Sequence, residues 1–116
     1  GMSSGACLRT VEFLDIYPTV VDWCGLPQPG RLQGVSLRPL LSGPESQWDR
    51  PAYTSLRHER ILGKSIRTER YRYTEWNGGK EGVELYDYQS DPNEWKNLAK
   101  EADSAATITH LKGLLK

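Results

Sequence analysis

The chain has little cysteine, little histidine, no long apolar run and no excess charge of either sign. Its two cysteines, Cys7 and Cys24, show no metal-ligand spacing, which leaves no cysteine-built metal site to read. A Cys7–Cys24 disulfide stays open, because sequence alone does not show whether their Cβ atoms approach. Cys24 falls on an apolar helical run and reads as a small buried hydrophobe. No apolar stretch nears the roughly 20 residues that cross a bilayer. No signal peptide is read at the N-terminus, where Gly1 precedes Met2. Fifteen Lys and Arg balance fifteen Asp and Glu, so no global field points to nucleic acid or membrane as a partner. The two histidines, His58 and His110, suggest no nucleophile–base pair. His110 reads as solvated surface on a terminal helix.

What is there centres on Lys64–Tyr88. Apolar and polar residues alternate with a period of two, rich in β-branched and aromatic side chains, which predicts strands with one buried face. Ile66 falls on one side of the first run, and in the second Tyr71 and Tyr73 share a side. Arg72, Thr74 and Trp76 take the opposite side. Glu69-Arg70 forms one reversal and Asn77-Gly78-Gly79 another, since Asn and Gly tolerate positive φ. Val83–Tyr88 makes a further strand, and Pro51–Arg57 an earlier one that starts where a missing N–H does no harm. Upstream, Asp15-Ile16-Tyr17-Pro18 opens a short helix, with Asp15 as N-cap and Ile16, Tyr17, Val20, Val21 and Cys24 as its apolar stripe. Glu94–Leu98 is expected as a helical or 3₁₀ turn pinning Trp95 and Leu98 under the sheet. Ala105, Ile108, Leu111 and Leu115 define a C-terminal helix.

These elements predict an α+β fold: a four-stranded antiparallel β-sheet with a C-terminal amphipathic helix packed on one face, plus a short N-terminal helix. Two segments are expected, 1–43 with the first helix and a connector, and 44–116 with the sheet. Charge is uneven between segments. Arg50–Arg72 holds seven basic and two acidic residues, Glu81–Asp103 seven acidic and two basic. Either the two neutralise each other across the sheet, or the basic one faces an anionic ligand.

Four stretches carry a resemblance, in order. They are Phe13-Leu14-Asp15-Ile16-Tyr17-Pro18-Thr19; Gly34–Leu41; Ser65-Ile66-Arg67-Thr68 with Tyr71-Arg72-Tyr73; and Glu84–Asp87 followed by Asp91-Pro92-Asn93-Glu94-Trp95 with Asn97-Leu98. Together they resemble the C-terminal end of type I sulfatases, closest to the iduronate-2-sulfatase-like branch. The resemblance implies a parent that hydrolyses sulfate esters on carbohydrate, using calcium and a formylglycine made within Cys-x-Pro/Ala-x-Arg. Neither cysteine fits that motif: Arg9 follows Cys7 at the second position, and Leu26 and Gln28 follow Cys24. No Asp-Asp, Asp-Asn or Asp-His pair occurs either. The chain alone is therefore expected to hold no catalytic residue, metal or cofactor, and to be inactive.

The resemblance makes the first helix the edge of a missing catalytic domain, so an exposed apolar patch is expected there, with self-association possible. It also places Arg57, His58 and Arg60 at a substrate-pocket rim, where guanidinium groups suit sulfate or uronate. Structural roles fall to Arg67, expected to pair with an acid on a neighbouring strand, and to Tyr73, Trp76, Tyr86 and Trp95. Rival readings are an independent module for acidic glycans and an inactive truncated frame. Localisation stays open, the parent family being often periplasmic, secreted or lysosomal.

Overall fold

The computed structural model describes residues 5–115. The chain forms two compact units that divide between Arg50 and Pro51, later than the 43/44 boundary expected from sequence.

In the first unit a 3₁₀ turn, Phe13–Asp15, runs into helix α1, Ile16–Trp23, and a short helix α2 spans Arg38–Ser42. The polar side of α1 does the local fastening. Asp15 is buried, and its carboxylate accepts the backbone N–H of Glu12 and of Val35, each at 2.9 Å. Its side chain thus closes the connector, rather than capping α1, whose N-cap position it occupies. Thr19 Oγ1 donates to the Asp15 carbonyl and accepts the Leu37 N–H at 2.8 Å. Asp22 accepts the Ser36 hydroxyl and the Arg38 guanidinium. Asp15, Thr19 and Asp22 follow the i, i+4, i+7 spacing of one helix face, so the connector 34–38 is stapled along that face.

The apolar stripe of α1 is left outside. Ile16 and Val20 are 51% and 55% exposed, Tyr17 and Trp23 similarly, and Phe13 before them 91%. Of the expected stripe only Val21 is buried, beside Leu40 in burial class. Cys24, expected inside, is exposed and free, as is Cys7. The reason is geometric: among the described residues the connector 34–38 covers the side of α1 that carries Asp15, Thr19 and Asp22.

In the second unit four strands, β1 Ala52–His58, β2 Ile61–Arg67, β3 Tyr71–Trp76 and β4 Gly82–Asp87, form an antiparallel sheet in sequence order. Short reversals make that meander. Glu59 supplies the positive φ between β1 and β2, and Asn77, Gly78 and Gly79 supply it between β3 and β4. Residues opposite one another share a face. Tyr53, Ile66, Tyr73 and Leu85 line up across the sheet on the side that carries the core. Helix α3, Ala105–Leu114, closes that side with Leu111, and Ile108 and Leu115 pack at its margin. Ala105, expected in the stripe, is exposed.

Glu94–Leu98 is not helical. Glu94 takes φ 58°, and the chain then follows the outer edge of β4. Asn97 accepts the Leu85 N–H and donates to the Val83 carbonyl, while the Leu98 N–H reaches the Leu85 carbonyl. This satisfies edge groups that would otherwise stay open. Leu98 packs against the core as expected. Trp95 does not: running along the edge turns it outward, and it is 85% exposed.

Arg70 forks onto Asp87 through Nε and Nη2 at 3.0 and 2.8 Å. That fork, with the Gln89 N–H, holds the Asp87 carboxyl below its ordinary 3.8. A depressed folded pKa gives stability that is present above the ordinary value and drains away as pH falls through the lower one. Arg70→Gln is therefore expected to melt earlier at about pH 7, with the gap narrowing as pH falls below the ordinary 3.8. A gap that persists unchanged through the acid limb would assign the loss to packing instead.

Candidate functional site

The sheet face opposite α3 is the chemically rich one. It carries Leu56 and His58 from β1; Gly63, Ser65 and Arg67 from β2; Arg72, Thr74 and Trp76 from β3; and Glu84 and Tyr86 from β4, as the register dictates. Arg67 and Arg72 stand directly opposite each other. Two like charges in that position need neutralising. Glu94 does so for Arg72, with which it forms an ion pair, and it also accepts the Tyr88 hydroxyl. Arg72 further lies over the Tyr86 ring. Arg67 finds no carboxylate among the described residues. Its guanidinium instead stacks on Tyr88, 3.2 Å from the ring centroid, and Nη1 is buried without a hydrogen-bond partner. The expected acid partner is thus replaced by an aromatic one. Burial first, then the Glu94 hydrogen bond, pushes the Tyr88 hydroxyl up.

At the other end of this face lies a groove bounded by Leu56, His58, Ile61, Trp76 and Glu84. Its floor depends on a missing side chain. A Cβ on Gly63 would sit 2.6 Å from Trp76 Cζ3, so the indole lies flat on the β2 backbone there. Trp76 Nε1–H donates to Glu84 Oε1 at 3.0 Å, which fixes the ring's rotation. The sequence signal for this was a glycine inside a strand facing an aromatic, and the sequence reading assigned neither Glu84, named only within a motif, nor Gly63 to a site.

The expected rim residues are only partly brought together. His58 ends β1 and lines the groove. Arg60 sits on the exposed β1–β2 reversal. Arg57 lies within β1, opposite Leu62, and alternation puts it on the other face from His58. All three are exposed. On the core side, Tyr73 donates to Glu75 at 2.7 Å, and Lys112 reaches the same carboxylate oxygen. Burial, then Glu75, raises the Tyr73 hydroxyl. Both tyrosines and Trp76 thus have structural partners, and Tyr86 has Arg72.

Among the described residues no three His, Cys, Asp or Glu side chains gather closely enough to hold a metal ion. Calcium wants six or more oxygen ligands, and this donor set does not fit it.

The family model for N-sulphoglucosamine sulphohydrolase, C-terminal, matches residues 4–116. The chain is 35% identical over 113 residues to a delta 4,5-hexuronate-2-O-sulfatase of Bacteroides thetaiotaomicron, covering 93% of this chain and 23% of that protein. The fold matches a solved 2-O GAG sulfatase at TM-score 0.74 and 32% identity, over 86% of this chain and 22% of that one. A second structure, solved with its substrate D-glucosamine-2-N,6-O-disulfate, matches at TM-score 0.76 and 27% identity, again over 86% and 22%. The chain therefore spans less than a quarter of the length of these relatives. With its meander, its C-terminal helix and a match along nearly its whole length, this chain belongs to the C-terminal domain family of the sulfatases.

Proposed function

We propose that this chain is the part of a glycan sulfatase that packs against the catalytic domain and walls one side of its substrate pocket. Hydrolysis of the sulfuric ester belongs to the portion that carries the formylglycine. The observation that carries this reading is the inverted α1. Its polar side is covered, while Phe13, Ile16, Tyr17, Val20 and Trp23 stand exposed. At roughly 25 cal/mol per Å² of apolar area, a surface of that kind favours a partner strongly. The relatives, more than four times longer, supply a reason for one. In the isolated chain the same surface supports self-association.

His58 and Arg60 at the β1–β2 end are the proposed rim, with Arg60 the residue suited to a sulfate or uronate. Arg57, on the opposite face, stands apart from them. The test compares the 116-residue chain with a longer protein that adds the upstream coding sequence and a Cys-x-Pro/Ala-x-Arg motif. The chain alone is expected to turn over no aryl sulfate, with or without calcium. In the longer protein Arg60→Ala and His58→Ala are expected to raise KM severalfold, about 1 kcal/mol of binding each, and to leave kcat and Tm nearly unchanged. Turnover by the chain that survives repurification, or an unmoved KM, would overturn the assignment.

A further inference from the structure

The groove beside Trp76 has a volume of about 660 Å³, within the roughly 300–1,000 Å³ typical of small-molecule sites. Its construction is specific. The indole rests on the Gly63 backbone, is fixed by Glu84, and shares the groove with Leu56 and Ile61. The result is a rigid, flat apolar floor. Around it stand His58, Glu81 and Glu84, and among the described residues neither an arginine nor a lysine lines the groove. A pyranose ring has the matching form, with an apolar C–H face to lay on an aromatic and hydroxyls at its rim for His and Glu. The charge is equally telling. Two carboxylates, with no arginine or lysine among the described lining residues, disfavour a sulfate or uronate and welcome a neutral ring or an ammonium, which is also attracted to the indole face.

We propose that this groove binds one pyranose ring of a glycan, uncharged or amino-bearing, stacked on Trp76, and that it rejects sulfated and uronate rings. The sulfated residue would then be held elsewhere, and this groove would select a neighbouring unit of the chain. The choice of sugars rests on the glycan-sulfatase reading, whereas the binding itself needs no hydrolysis.

The experiment follows the Trp76 indole N–H by ¹H–¹⁵N correlation on the 116-residue chain, with the resonance assigned by its loss in Trp76→Phe. Methyl glycosides of glucosamine, N-acetylglucosamine and glucuronate are titrated at constant ionic strength. The two glucosamine derivatives are expected to shift that resonance saturably in the millimolar range, with glucuronate weaker by about fivefold or more. Glu84→Gln keeps an acceptor for the indole and removes one charge, so it is expected to narrow the gap between glucosamine and glucuronate. No saturable shift with any of the three would overturn the proposal, as would glucuronate binding as tightly as glucosamine. Either failure leaves the KM test of Arg60 untouched, and an unmoved KM leaves this titration standing.

Discussion

Gly34→Ala is expected to destabilise the first unit by about 3 kcal/mol or more, whereas Gly30→Ala is expected to change it by less than about 0.5 kcal/mol. A Cβ on Gly34 would lie 2.0 Å from the Leu14 carbonyl oxygen, a backbone atom, while one on Gly30 meets nothing within 4 Å. A tolerable contact needs at least 3.0 Å, so the connector must move by about 1 Å. That displacement is enough to break the 2.9 Å bond from the Val35 N–H to Asp15. It leaves a buried carboxylate and a backbone N–H short of a partner, at about 1–3 kcal/mol for each unsatisfied group. Hydrogen exchange at the Val35 and Leu37 amides reads the change directly. Equal protection and equal melting in the two variants would show that the connector is not seated on α1 in this way.

Leu111→Ala is expected to cost about 2–5 kcal/mol, lowering Tm by more than roughly 10 °C for a unit of this size. Leu111 is 1% exposed and is the one residue of α3 in the buried cluster with Ile66, Tyr73 and Leu85. Truncation leaves a void on the sheet that a short helix, held at its margins by Ile108 and Leu115, fills poorly. Leu114→Ala, at a half-exposed position on the same helix, is expected to cost less than about 1 kcal/mol. Matching melting shifts for the two leucines would mean that α3 docks through another face.

The meander was legible because a strand's period of two is written locally. Tyr71 and Tyr73 could be set on one side of their strand, and Arg72, Thr74 and Trp76 on the other, before any coordinates. Asn77-Gly78-Gly79 announced its reversal through positive φ. The register that joins Ile66, Tyr73 and Leu85 on one face came from the structure. The C-terminal helix was legible by the same logic at a period near 3.6, and the family by ordered motifs. The rim was less so. Arg57 and His58 are neighbours in sequence and therefore lie on opposite faces once the strand extends through His58, while a loop would have kept them together.

What the sequence determined by itself is what depends on near neighbours: strand period, turn chemistry, helix stripe, and the absence of a formylglycine motif. Tertiary structure decided everything that depends on who stands opposite. Arg67 received Tyr88 because Glu94, at a strained φ, was already taken by Arg72 and Tyr88. Trp95 turned outward because Asn97 and Leu98 were needed to satisfy the edge of β4. Cys24 and the apolar stripe of α1 stayed outside because the helix's aspartates and threonine met the connector first. For Trp95 and for the stripe of α1, a buried or edge hydrogen-bonding group had to be paired, and leaving one unpaired costs more than exposing one apolar side chain.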